Sequence, residues 1–313
     1  MRPLSVWGRI PEWGKAFLIA VALLLVVHVL VLRWVTVRST SMYATLLPGD
    51  LVGVERWPLW TGLHRGDIVV FHDPLQDDRP MARRQLLVKR IAGMPGDEVE
   101  LRDGQLIVNG KRVLRSPLET ARWKVRLTSD TGSASLLHDL GLPEDFVLPG
   151  HTLLDLPLNA ELAKKLEQQP GVADVAPRGS TRAGAGNLFP FGPNFRWNND
   201  NYGPLHVPAR NDTVNLTLHN LTIYDRIISR YEHNRVSVAD RELQINGDKA
   251  DRYVIRQDYF FVLGDSRDHS SDSRYWGFVP ADHVVGRGGF VLLNARTVAG
   301  DGPTGRWLLG LRR

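Results

Sequence analysis

The chain has 313 residues, with 39 Lys and Arg against 34 Asp and Glu, a formal net charge of +5. That length suffices for one large core or two modest ones. The basic excess is dispersed and no Lys/Arg block is interleaved with aromatics, which argues against a nucleic-acid partner. Cysteine is absent, so disulfides, thiolate metal sites and a cysteine nucleophile are excluded. No metal or other cofactor is expected.

The first informative segment is Ala16–Leu32, apolar apart from His28. As a helix it would reach about 26 Å, enough for a thin hydrocarbon core when its flanks help. Trp13 and Trp34 stand where interfacial anchors belong, and Lys15 and Arg33 where cations snorkel outward. A cleaved leader would be followed by a small-x-small site, and Arg33-Trp34-Val35-Thr36-Val37-Arg38 offers none. The reading is therefore a cytoplasmic segment over 1–15 and a single transmembrane anchor over 16–34. Arg2, Arg9 and Lys15 before the span place the N-terminus inside and the remainder outside the cytoplasm.

Val35-Thr36-Val37 alternates as a short strand leading into Ser39 and Ser41. The stretch from Leu32 to Ser41 covers at most about 30 Å, which keeps Ser41 close to the membrane surface. Leu51–Val54, Asp67–Phe71 and Leu86–Ile91 read as strands, and 98–114 as a meander turning at Asp103-Gly104 and Asn109-Gly110, the type I′ hairpin pairs. Residues 35–114 thus form the first part of a β-rich domain. Residues 115–250 differ in composition and read as an inserted domain. It has a helix over 161–169, an irregular stretch over 170–208, a strand over 213–218 and a helix from Thr222 to about Tyr231. Tyr253–Ile255, Tyr259–Leu263, Val284–Arg287 and Gly289–Leu293 complete the β domain over 251–298, and 299–313 is a short tail. The fold class is mainly β, with a large insertion and one N-terminal helix.

Common hydrolase signatures are missing: there is no Gly-x-Ser-x-Gly and no His-Glu-x-x-His. Gly104 to Lys111 has the wrong spacing for a phosphate loop. Asp268-His269-Ser270 spells a triad only in letters, since sequence neighbours rarely point at one centre. What remains is a hydroxyl and an amine. A serine hydroxyl needs a base within hydrogen-bond reach, and a lysine serves as one when burial disfavours its charged form. Ser41 and Lys89 suit those roles, Lys89 lying in the apolar run Leu86-Leu87-Val88-Lys89-Arg90-Ile91. An ordinary outward-facing strand lysine fits that run as well, and the residues alone leave both readings open.

Three stretches, in order, resemble the boxes of the type I signal peptidases, or leader peptidases. Ser41-Met-Tyr-Ala-Thr-Leu46 with Gly49-Asp50 resembles the nucleophile box. Lys89-Arg-Ile-Ala-Gly-Met-Pro-Gly-Asp97 resembles the general-base box, and Gly264–Pro280 the third box almost throughout. The boxes cover about a tenth of the chain. The resemblance implies a β-rich catalytic domain with a variable second domain and a Ser-Lys peptidase acting on signal peptides of exported preproteins after Ala-x-Ala sites. It also implies attachment to the lipid bilayer of the bacterial cytoplasmic membrane, near the protein export channel. By position it makes Ser41 the nucleophile, Lys89 the general base and Ser270 the hydroxyl that orients Lys89. Ser39 and the Ser41 N–H become the oxyanion hole, Arg90, Asp272 and Arg274 a supporting ion-pair cluster, and Val35, Val37 and Val88 the lining of shallow substrate pockets. Arg38 and Ala44 replace usual prolines and Ser266 a usual asparagine. The first two put the geometry around Ser39 and the turn after Ser41 in doubt. The alternatives are a dedicated processing enzyme of one secretion or conjugation system, and a catalytically inactive tethered relative.

Overall fold

A computed structural model describes residues 10–26, 31–129, 133–142, 146, 151–178, 188–192, 194–239, 241–299 and 305–311. The architecture is mainly β. Its centre is an eight-stranded sheet whose strand pairs are all antiparallel. From one edge inward run Leu32–Thr36, Asp50–Glu55, Val284–Asn294, Ile68–His72, Leu86–Gly93, Tyr259–Leu263 and Val279–Pro280, with Leu309–Gly310 paired beside Val284–Asn294. One face packs Val35, Val37, Met42, Leu46, Val52, Val54, Ile68, Val70 and Val291 together. The other packs Val69, Phe71, Ile91, Val262, Trp276 and Val279. Alternation along Ile68–His72 explains the division, because successive side chains leave a strand on opposite faces.

The strand order interleaves the two halves expected from the sequence: Val284–Asn294 lies between Asp50–Glu55 and Ile68–His72. The hairpins stand at the expected dipeptides. Asp103, Gly104, Asn109 and Gly110 all have positive φ, the left-handed region that type I′ turns require at both central positions.

The 115–250 stretch contributes to several layers. Ala121–Leu127, Leu153–Leu158 and Val172–Pro177 form a three-stranded sheet flanked by helices Ser133–Leu140 and Ala160–Glu167. Asn159 caps the second helix by accepting from Leu162 N at 2.9 Å, as expected of an Asn at this position. Tyr202–His206 pairs instead with Glu98–Arg102, and Thr213–Asn215 with Arg252–Val254. Leu221–Arg226 is α-helical and continues as a π-helical turn over Ile227–Tyr231. Tyr224, Ile227 and Tyr231 share a core with Tyr259 and Phe261 of the central sheet.

The N-terminal helix is Glu12–Val26, beginning earlier than the expected span. Trp13, Phe17, Leu18, Ile19, Leu23, Leu24 and Leu25 on it are exposed. Among the described residues no helix is long and apolar enough to cross a membrane. Residues 27–30 of the expected anchor, His28 included, lie outside the described residues. The far end of that expectation differs from the structure: Leu32, Arg33 and Trp34 are strand, paired with Glu55, Val54 and Gly53. Trp34 packs edge-on against Phe290 of the same sheet.

Candidate active site

After Leu32–Thr36 the chain turns over 41–47 before re-entering the sheet at Asp50. Tyr43 N donates to Thr40 O at 3.0 Å and Leu46 N to Met42 O at 2.8 Å. The Asp50 carboxylate accepts from Leu47 N at 2.8 Å and from the Arg306 guanidinium. Met42 and Leu46 anchor the turn in the apolar face that holds Val35 and Val37. The turn is thus held by these bonds and apolar anchors, with Ala44 in place of a proline.

Lys89 sits midway along Leu86–Gly93, opposite the buried Val69. Its Nζ lies 2.7 Å from Ser41 Oγ and 3.1 Å from the Val88 carbonyl oxygen. Ser41 is 8% exposed and Lys89 4%. Burial lowers the Lys89 pKa from 10.5 to about 8, against the upward pull of Asp272, Asp265 and Asp73. Desolvation wins because none of these carboxylates makes a direct ion pair with the amine among the described residues. Ser39 Oγ lies 3.2 Å from Ser41 Oγ. The expected nucleophile, base and one oxyanion donor therefore stand together.

The third box supplies the support. Gly264 N donates to Asp272 Oδ2 at 3.0 Å, and Ser266 N to the Ser41 carbonyl at 3.1 Å. Asp272 and Arg274, both fully buried, form a two-point pair at 2.9 Å through Nε and an Nη of the arginine. Burial opposes the charge on Asp272, but the Arg274 guanidinium outweighs it and holds the carboxyl below its usual range. Arg90 does not join this pair. Its guanidinium makes a two-point contact with Asp265 at 2.8 and 2.6 Å, and Thr45 Oγ1 donates to the same carboxylate at 2.5 Å. The cluster expected from Arg90, Asp272 and Arg274 is thus two separate pairs. Asp265 and Thr45 escaped the sequence reading, although Asp265 follows Gly264 directly in the third box.

Ser270 is buried, and its Oγ has no hydrogen-bond partner among the described residues. The orienting bond to Lys89 implied by the resemblance is not formed here. Ser270 packs against Gly264 so closely that a Cβ on that glycine would lie 2.1 Å from Ser270 Oγ and 2.5 Å from the Ser41 carbonyl oxygen. Ser266 Oγ is likewise buried and without a partner among the described residues.

Val35 and Val37 are buried and Val88 half-buried, all in one apolar cluster with Leu86. Leu32–Thr36 pairs only with Asp50–Glu55, and Leu86–Lys89 only with Ile68–His72, so each has an edge free of strand partners among the described residues. Two cavities, of about 630 and 440 Å³, adjoin the ion pairs and are not lined by Ser41 or Lys89. Among the described residues no group of His, Asp or Glu could hold a metal ion.

The arrangement can do one kind of chemistry well. A hydroxyl beside an amine of depressed pKa is an activated nucleophile, and an adjacent hydroxyl and strand edges suit an extended peptide as its target.

The family model described as "Signal peptidase, peptidase S26" matches residues 10–196 and 207–293. The signal peptidase I of Bacillus amyloliquefaciens is 35% identical over 127 residues, 39% of this chain and 62% of that one. The signal peptidase I T of Bacillus subtilis (strain 168) has the same identity and coverage. The signal peptidase I of Buchnera aphidicola subsp. Baizongia pistaciae is 24% identical over 288 residues, 86% of this chain and 72% of that one. The chain spans just under two thirds of the length of the Bacillus relatives. With three boxes in order, the hydroxyl–amine pair they bring together and a family model matched over most of its length, the chain belongs to the signal peptidase family, peptidase S26.

Proposed function

We infer that this protein is a serine endopeptidase that removes N-terminal signal peptides from exported preproteins, cutting after Ala-x-Ala sites. The observation that carries the reading is the 2.7 Å separation of Lys89 Nζ and Ser41 Oγ, with the lysine pKa lowered to about 8. Neutral Lys89 takes the hydroxyl proton as Ser41 Oγ attacks the scissile carbonyl. The Ser41 N–H and the Ser39 hydroxyl receive the oxyanion, where such donors contribute about 3 kcal/mol each. Protonated Lys89 then gives its proton to the leaving amine, and water releases the acyl group by the same base. Ser270 orients the amine during this cycle; its buried, unpartnered Oγ is available for that bond.

The substrate enters as an extended strand along the free edges of Leu32–Thr36 and Leu86–Lys89. Val35, Val37 and Val88 admit small side chains and reject large ones by sterics. The N-terminal segment anchors the enzyme in the cytoplasmic membrane near the export channel, with the sheet outside; the exposed apolar side chains from Trp13 to Leu25 support this. Residues 35–114 and 251–298 form the catalytic domain around a variable 115–250. Intact Ser41 and Lys89 favour an active enzyme over an inactive relative. Incubation of the purified full chain with a preprotein bearing an Ala-x-Ala site tests the reading: a single cut after that site is expected, and an intact preprotein would overturn it.

A further inference from the structure

The turn that carries Ser41 is clamped between two cores. Met42 and Leu46 point into the central sheet. Tyr43 and Leu47 instead pack among Val125, Leu154 and Leu156 of the three-stranded layer and Leu137 of the Ser133–Leu140 helix that flanks it. The Tyr43 hydroxyl donates to the Leu140 carbonyl at 2.8 Å, at the end of the Ser133–Leu140 helix. A turn of this kind has no regular ladder of its own, so its position is set by what grips it on either side.

Thr120, just before the first strand of the layer, closes the connection. Its hydroxyl donates to the Tyr43 carbonyl at 3.1 Å. Its amide donates to the Asp265 carbonyl at 2.8 Å, and its own carbonyl accepts from Arg267 N at 3.0 Å. Between those two residues Ser266 N donates to the Ser41 carbonyl at 3.1 Å. A closed circuit of hydrogen bonds thus runs from Ser41 through Ser266 to Thr120 and back to the turn at Tyr43. Thr120 is buried, so water does not compete for these bonds.

We propose that Thr120 and Tyr43 are positioning residues for Ser41, and that the three-stranded layer belongs to the catalytic apparatus by holding the nucleophile turn against Lys89. The proposal rests on Ser41 being the nucleophile. Loosening the circuit, or the bond from the Tyr43 hydroxyl to Leu140, lets Ser41 Oγ drift from Lys89 Nζ while the strand edges and valines that receive the peptide stay in place. The cost falls on kcat and not on KM, since a misplacement of about 1 Å already costs up to about a hundredfold in rate.

The test is steady-state cleavage of an Ala-x-Ala preprotein by the full chain in detergent, with thermal unfolding alongside. Tyr43→Phe and Thr120→Val are each expected to lower kcat about tenfold with KM changed less than about twofold. Thr120→Ser, which keeps the hydroxyl, restores most of the rate. The double variant loses less than the product of the two, because the Tyr43 hydroxyl and the Thr120 hydroxyl hold the same turn. Tyr43→Phe keeps the ring in its core and reports on the proposal even where Thr120→Val unfolds. An active wild type with unchanged kcat in Tyr43→Phe overturns this proposal alone. A wild type that does not cleave overturns the peptidase reading, and this one with it.

Discussion

Lys89 Nζ and Ser41 Oγ, brought together across 48 residues of sequence, lie 2.7 Å apart with both residues more than nine-tenths buried. Burial makes the amine usable as a base by holding its pKa near 8. In the protonated state it donates to Ser41 Oγ; in the neutral state it accepts the hydroxyl proton. Cleavage therefore requires the neutral form, and kcat/KM should rise with pH through about 8 and level off above it. At two pH units below that point the rate should fall to about a hundredth of the plateau. A rate profile that begins to rise only near pH 10 would contradict the burial of this lysine.

The same burial has a cost in stability. The unfolded chain holds the Lys89 proton up to about pH 10.5 and the folded chain only to about 8, so this group makes stability rise with pH across that window. Lys89→Met removes a buried amine and keeps its length. It should abolish cleavage yet stabilise the fold by up to about 3 kcal/mol at pH 7, with the gain shrinking as pH approaches 10. Urea unfolding at both pH values measures this, and a destabilised variant would contradict it.

Gly264 has no room for a side chain. A Cβ there would meet Ser270 Oγ at 2.1 Å and the Ser41 carbonyl at 2.5 Å. Gly264→Ala should displace both serines, cost about 1–3 kcal/mol of stability and remove most activity. Ser270→Ala leaves the packing intact and should slow cleavage less than Ser41→Ala or Lys89→Ala, which should abolish it. Comparable rates for Gly264→Ala and wild type would mean that this contact does not set the site.

The Asp272–Arg274 pair supports the box from within. Asp272→Ala leaves a fully buried guanidinium without its carboxylate and should destabilise the protein by about 3–5 kcal/mol. Arg90 faces Asp265 instead, with a partly exposed guanidinium. Arg90→Ala leaves the buried Asp265 carboxylate with Thr45 Oγ1 still donating to it and should cost less. Equal losses in chemical denaturation would show that the two pairs act as one cluster.

The sequence made the local features legible. The boxes are contiguous, so their chemistry could be read without the fold, and the Asn-Gly and Asp-Gly pairs announced their own turns. What it hid depends on long-range partners. Position in the boxes groups Arg90 with Asp272, whereas its partner Asp265 is 175 residues away. Ala121–Leu127 does alternate, with Val125 and Leu127 inward and Lys124 and Arg126 outward, but it lay in a stretch of mixed composition. Leu153–Leu158 carries Pro157, which argues against a strand until its pairing with Ala121–Leu127 is seen. The grip of Thr120 and Tyr43 on the turn that carries Ser41 joins a box to a region outside every box, and no pattern along the chain announces it. At the N-terminus the apolar run suggests one span, but its far end is drawn into the sheet by pairing with Asp50–Glu55.

The most direct test of the Ser41–Lys89 reading is mass-spectrometric mapping of one preprotein after incubation with wild type, Ser41→Ala and Lys89→Ala. A single cut by the wild type after the Ala-x-Ala site is expected, and an uncut preprotein with either variant, each still folded. Cleavage at that site by folded Ser41→Ala or Lys89→Ala would contradict it.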